Sequence, residues 1–362
     1  MFAVLVGGGS GGHVLPAIAV AEALVDAGHD PSSIHFVGSS RGMESTLVPA
    51  AGFASTLFRM RSFPRKVTWR HGVAGWELLC AIVAAVRLFG RLAPRVVVSV
   101  GGYASVPGVL AARLRRIPIV VISFDARPGR SNLMAARFAA ACAVAFEDTA
   151  MPNKVVTGPA LRRSIAQLDR VVARAGARMR LGIDPERFVL AVVGGSQGSG
   201  ALNGVVDSYV ERNRGRRDLT VRHVVGQRNL GSAHAPYDGA TGLQYQVVGF
   251  EEYMDDLYAA ADVLLARSGA SVLELAAIGM PSILVPWPDA AEDHQTANAH
   301  WLADPGGAVL VPEPELDLDR LETEVSRLMD PAARERMSSI ALALGRRDGA
   351  QRIARVVEDC AR

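Results

Sequence analysis

Short uninterrupted runs of apolar, mostly β-branched residues alternate along this chain with longer stretches whose apolar positions recur every three or four residues. Runs of the first kind read as strands buried on both faces, and stretches of the second kind as amphipathic helices. Phe2–Val6, Ile34–Val37, Val96–Val100, Ile117–Ile122, Ala141–Phe146 and Lys154–Val156 form a first set of strands. Phe188–Val193, Val221–Val225, Tyr245–Val248, Val263–Ala266, Ile283–Pro286 and Ala308–Val311 form a second. Helical patterns lie between and after them, including Pro16–Leu24, Val272–Gly279, Leu318–Met329 and a terminal stretch over Arg334–Arg362. Such alternation predicts an α/β protein with parallel sheets.

The most informative stretch is Ala261–Ala299, which reads as strand, polar turn, helix, strand, polar turn, helix. Its first turn, Arg267-Ser268-Gly269-Ala270-Ser271, opens a helix. The unpaired N–H groups and partial positive charge of a helix N-terminus suit a phosphate there, with Arg267 adding a full charge. The second turn carries Asp289, Glu292, Asp293, His294 and Gln295. Turns at the carboxyl ends of neighbouring parallel strands share one crevice, where open α/β sheets bind ligands. Strand, glycine-rich turn and helix also occur at Gly7–His13 and again at Gly194–Gly200. The repeat predicts two Rossmann-like domains with parallel sheets facing a central cleft. Thr157-Gly158-Pro159 marks the crossing, giving an N-terminal domain over 1–159, a C-terminal domain over 160–340, and a terminal helix over 341–362 that packs back on the first domain. The second strand ends in Gly38-Ser39-Ser40 without the carboxylate a dinucleotide enzyme uses for ribose, which argues against NAD.

Composition narrows the class. At 362 residues, 49% hydrophobic and 21% charged, the chain has room for two cores and is not disordered. A net charge of +3 gives no case for a nucleic-acid partner. Cys80, Cys142 and Cys360 lack any CxxC spacing, which favours a reducing compartment without structural zinc. Met1 leads directly into a strand, so no secretion signal is expected, and the longest apolar helical stretch, Leu78–Val86, is too short to span a membrane. Over 64–95, Arg65, Lys66, Trp69, Arg70, His71, Trp76, Arg87 and Arg91 interleave with apolar residues. That pattern fits a surface dipping into anionic lipid headgroups, or a partly buried helix with a basic rim. No Asp-x-Asp pair occupies a strand-end turn, so no metal is expected, and Asp255-Asp256 reads as a solvated helix start.

The motifs GGGSGGHVLPAIAVAEAL, VGGYASVPG, PGRSN, GGSQGSGALN, RSGAS and AAEDHQTANA, in this order over nearly the whole length, resemble the MurG family. These are glycosyltransferases of the GT-B fold that move N-acetylglucosamine from UDP-GlcNAc to a lipid-linked muramyl peptide at the inner face of the cytoplasmic membrane. The resemblance implies a cytoplasmic, membrane-peripheral enzyme of peptidoglycan precursor synthesis that needs no cofactor. Its partners would be UDP-GlcNAc, a lipid-linked phosphate acceptor and an anionic membrane surface. By position, Arg162 and Ser196 serve the donor diphosphate, and Gly269-Ala270-Ser271 hold its phosphates. Phe250, Glu251 (through its backbone) and Met254 border the uracil; Glu274 takes the ribose, and His294 and Gln295 the sugar hydroxyls. Ser10, Gly11, Gly12 and His13 face the acceptor diphosphate, with Tyr103 and Asn132 on the same side.

Three departures stand out against that family. Ile122-Ser123-Phe124-Asp125 replaces His-Glu-Gln-Asn, Gly158-Pro159-Ala160-Leu161-Arg162 replaces Gly-Asn-Pro-Val-Arg, and one residue is missing between Arg267 and Glu274. The altered first tetrad leaves open another lipid-phosphate or antibiotic-precursor acceptor, or a nucleotide-sugar binder without activity. His13, near a helix start that keeps its imidazole neutral, serves as general base or as a donor to acceptor phosphate, and Asp125 is the rival base. Plainer alternatives stand beside several residues. Ser271 and Glu274 have the spacing of a capping box, Gln295 can bond a neighbouring turn, and Tyr103 can belong to the core.

Overall fold

Among the described residues, the strands form two sheets of seven. The computed structural model describes residues 1–9, 11–60, 70–195 and 198–361. Ser10, Ser196, Arg65, Lys66 and Trp69, singled out above, lie outside them. The chain divides into two units, 1–163 together with 347–362, and 164–346.

In the first unit β1 (Ala3–Gly7), β2 (Ile34–Ser39), β3 (Ala54–Phe58), β4 (Val96–Gly101), β5 (Ile119–Ser123), β6 (Ala141–Val144) and β7 (Lys154–Val156) are all parallel, in the order β3-β2-β1-β4-β5-β6-β7. Around them lie α1 (Gly11–Asp26), α2 (Glu44–Ala50), α3 (Arg70–Leu92), α4 (Val106–Arg115) and α5 (Arg130–Ala136). Val96, Val97 and Val98 are fully buried in succession, as happens when helices cover both faces of a parallel sheet.

The second unit opens with α6 (Arg163–Ala166), whose first residue still belongs to the first unit, and α7 (Arg170–Arg180). Its strands are β8 (Phe188–Val193), β9 (Leu219–Val224), β10 (Tyr237–Asp238), β11 (Gln244–Val248), β12 (Val263–Ala266), β13 (Ser282–Leu284) and β14 (Val309–Leu310). They run β10-β11-β9-β8-β12-β13-β14, parallel except for the edge pair β10–β11. The helices are α8 (Gly200–Arg212), α9 (Met254–Ala260), α10 (Ser271–Ala277), α11 (His294–Ala303), α12 (Leu318–Leu328) and α13 (Pro331–Leu344). Both sheets grow outward from their first strand and then jump back across it. Each therefore has a topological switch point, β1/β4 in one and β8/β12 in the other, where the turns leave a crevice beyond the strand ends.

The terminal stretch read as one helix is two, α13 and α14 (Gly349–Cys360). The break begins at Gly345, where an added Cβ would lie 2.5 Å from the Ala276 backbone, so α13 closes against α10 in the second unit. α14 packs on α1 in the first, where Glu358 meets His29 at 3.0 Å. Asp256 corrects a second expectation: it lies in the first turn of α9 but is buried and paired with Arg180. β3 and β10, absent from the sequence reading, are partly exposed edge strands whose apolar runs are correspondingly weak.

Candidate functional site

In the first unit, the turn after β1 and the turn after β4 meet at the switch point. A Cβ on Gly102 would sit 2.6 Å from the Gly8 carbonyl oxygen and 3.8 Å from His13 Cε1, so glycine lets the two turns close on one another. α1 begins at Gly11, which makes the amides of Gly11, Gly12 and His13 its first-turn donors. His13 is half-buried at this start. Tyr103 is also half-buried, its hydroxyl 3.3 Å from Ser39 Oγ and its ring next to Gly9.

Asn132 points into the fold. It is buried in α5, donates its amide to the Ile122 carbonyl at 3.2 Å, and has its oxygen where a Gly101 Cβ would lie. So placed, Asn132 joins the β5 end to the turn after β4. Within the departed tetrad, Ile122, Ser123 and Phe124 are buried, and only Asp125 is half-exposed. Arg162 is half-buried and falls within the first unit.

In the second unit, β12 and β13 are parallel neighbours, and their turns are tied together. Ser268, fully buried, donates its hydroxyl to the Gln295 carbonyl at 2.8 Å, and the Asn298 amide reaches the Ser268 carbonyl at 3.2 Å. Arg267 is the hub. Its guanidinium donates to the carbonyls of Val285 (3.2 Å) and Pro286 (3.1 Å), to Ser199 Oγ at 2.6 Å, and to the Glu313 carboxylate. Ser199 is the N-cap of α8, so one arginine joins the turns after β8, β12 and β13. The charge expected to meet a phosphate is directed inward and paired with Glu313.

The turn expected to hold phosphate is open at Gly269, where a Cβ would meet nothing within 4 Å. Hydrogen bonding of α10 starts with the Val272 N–H to the Gly269 carbonyl at 3.1 Å, so the amides of Gly269, Ala270 and Ser271 precede it. Ser271 is not a cap, because Ala270 holds that position without a side-chain bond, and the capping-box alternative drops out. Glu274, half-buried on the first turn, receives the buried Tyr258 hydroxyl at 2.9 Å.

Gln295 accepts the Trp287 N–H on Oε1 at 2.9 Å, and His294 Nδ1 lies 2.7 Å from the Ala291 carbonyl. Ahead of them Glu292 and Asp293 both take left-handed backbone, φ +55° and +52°. Such strain in successive non-glycine residues is characteristic of turns that the surroundings hold in place. On the loop after β11, Phe250 is 53% and Tyr253 62% exposed. Glu251 is buried, with its carboxylate bonded by Arg222 (Nε 2.8 Å, Nη2 2.7 Å), which leaves its backbone for any ligand. Met254 packs into the core.

Glu44, Arg222 and Tyr258, which hold these turns, were missed by the sequence reading. Only Glu44 had a local signal, an acidic residue just after Gly42 and six after Gly38. No group of three or more His, Cys, Asp or Glu suited to a metal occurs among the described residues.

Comparison with known proteins gives the following. Residues 3–144 match the glycosyltransferase family 28 N-terminal domain and 189–353 its C-terminal domain. The chain is 38% identical to the UDP-N-acetylglucosamine--N-acetylmuramyl-(pentapeptide) pyrophosphoryl-undecaprenol N-acetylglucosamine transferase of Acidothermus cellulolyticus, over 100% of this chain and 98% of that protein. It is also 38% identical to that of Clavibacter sepedonicus, over 98% and 95%. Among solved structures it is similar to Acinetobacter baumannii MurG, with TM-score 0.75, 29% identity and 99% of each chain covered. The glycotransferase of kitacinnamycin shares the fold, with TM-score 0.70 and 17% identity over 99% and 98%.

Proposed function

The chain belongs to the MurG family of glycosyltransferase family 28, and from this premise we propose that it transfers N-acetylglucosamine from UDP-GlcNAc to a lipid-linked muramyl-pentapeptide in peptidoglycan precursor synthesis. One observation carries the reading. The 38% identity is over the whole chain, so the matched length spans both switch points.

Inverting transfer needs a base for the acceptor hydroxyl and charge stabilisation for the departing diphosphate. The amides of Gly269, Ala270 and Ser271 supply the latter, aligned by the dipoles of α10. Arg267 acts on the diphosphate only indirectly, by fixing the three turns. Phe250 and Tyr253 offer exposed rings for the uracil beside the Glu251 backbone, Glu274 is oriented by Tyr258 for the ribose, and Gln295 keeps its NH₂ for the sugar. In the first unit the amides of Gly11 and Gly12 take the acceptor diphosphate, and His13 accepts the proton of the attacking hydroxyl.

Membrane association is part of the proposal. Trp76, Leu79 and Val83 are exposed at helical spacing on α3, and Arg87 and Arg91 follow, also exposed. An apolar stripe ending in cations supports docking at the inner, anionic face of a membrane. No described helix is long and apolar enough to cross it.

Incubation with UDP-GlcNAc and the muramyl-pentapeptide lipid tests the function. The expected result is disaccharide lipid and UDP in equal amounts. UDP release with a different lipid phosphate, and none with this one, would overturn the acceptor.

A further inference from the structure

The glycine-rich turn after β1 rests on a buried carboxylate. Glu44, the first residue of α2, is 2% exposed. Its Oε2 accepts the Gly9 N–H at 2.8 Å and its Oε1 the Ser39 N–H at 2.7 Å. Three glycines are shaped around it. A Cβ on Gly8 would lie 2.3 Å from the carboxyl carbon, one on Gly38 2.7 Å from Cγ, and one on Gly42 2.0 Å from Oε2. Ser39 carries the support onward, since its hydroxyl receives that of Tyr103 at 3.3 Å. The Tyr103 ring closes over Gly9, where a Cβ would be 3.2 Å from Cε1. Glu44, Ser39 and Tyr103 thus tie together the ends of β2, β1 and β4.

Two consequences follow from the chemistry. A buried carboxylate tolerates its position only while hydrogen-bonded, so the two N–H groups and the carboxylate hold one another. The Gly9 N–H is also withdrawn from any ligand, which leaves the amides at the start of α1 to meet an anion and fixes their direction.

We infer that Glu44 is a positioning residue for the acceptor, holding Gly9 and with it the entry into Gly11, Gly12 and His13. The inference rests on the reading of the first unit as the acceptor half. Glu44→Gln places an NH₂ group against one of the two N–H donors, whereas Glu44→Asp keeps the charge on a shorter arm. Two measurements decide it: amide hydrogen exchange over 7–13, and kinetics with acceptor and donor varied separately.

For Glu44→Gln, exchange over 7–13 quickens while the second unit is unaffected. Acceptor kcat/KM falls roughly ten- to hundredfold, and the KM for UDP-GlcNAc stays within about twofold. Glu44→Asp recovers part of the loss. Unchanged exchange over 7–13, or a lower Tm with acceptor kinetics intact, overturns the inference. If Glu44→Gln fails to fold, Ser39→Ala, which removes the oxygen that receives Tyr103, is read by the same two measurements. Should the unaltered protein transfer nothing to the muramyl lipid, the functional proposal fails, and hydrogen exchange still decides the brace.

Discussion

His13 and Asp125 are both half-buried polar groups in the first unit, yet their settings differ: one lies in the first turn of a 16-residue helix, the other follows the last residue of β5 by two positions. His13→Ala is expected to lower kcat by about 10²–10⁴ with UDP-GlcNAc binding retained, and Asp125→Asn to cost less than about tenfold. Steady-state kinetics of the two variants check this, and the reverse ranking moves the role of base to Asp125. Arg267 shows why residue type alone misleads. Its sequence position beside a phosphate turn was legible, but its partners, Ser199, Val285, Pro286 and Glu313, are distant in the chain. Arg267→Met leaves the partly exposed Glu313 without its cation and the Val285 and Pro286 carbonyls without their donor, at a cost below the about 3–5 kcal/mol of a fully buried pair. We therefore expect the variant to unfold at markedly lower temperature and to lose UDP affinity with it. A loss of UDP affinity at unchanged Tm would restore Arg267 as a direct phosphate ligand.

Strands and turns were the most legible elements. Continuous Val, Ile and Leu runs leave no solvent face, and glycine clusters after them have few other uses than tight turns. Helix ends were less so, because which residue caps α10 depends on one dihedral at Ala270. α3 is the element that carries the membrane proposal. The exposed stripe of Trp76, Leu79 and Val83 predicts that Trp76→Ala with Leu79→Ala weakens partitioning onto anionic vesicles by roughly tenfold or more, given the apolar area removed. Sedimentation with vesicles measures it, and unaltered partitioning would assign α3 a purely structural face.

For the whole molecule, the second unit has a built-in acid sensitivity. His223 is fully buried in β9, with Nδ1 2.9 Å from the Tyr245 hydroxyl and Nε2 3.0 Å from Asn203 Oδ1. Burial lowers its pKa from 6.5 to about 4. Between those values the unfolded chain binds a proton that the folded one refuses, so this contribution to stability is complete above the unfolded pKa and declines as pH falls toward the folded one. Its size is at most about 3 kcal/mol. Thermal unfolding should show Tm falling over that window, and His223→Gln should flatten the fall. An equal slope in both proteins would place the acid sensitivity elsewhere.

Hydrophobic periodicity and the glycine-rich turns by themselves determined the α/β class and the repeat of one strand–turn–helix device in two Rossmann-like halves, and six motifs in their order carried the resemblance to the family, because all of these depend on residues adjacent in the chain. Only the tertiary structure decided which side chains face a ligand and which hold a turn. Arg267 and Asn132 turned inward, Ser271 lost its capping partner, and Glu44 emerged beneath Gly9. For Glu44 and Arg267 the deciding bonds include ones 35 and 68 residues apart in the chain, and for Asn132 one of ten residues across the end of β5; a buried polar group takes whichever partner the packed fold brings within reach.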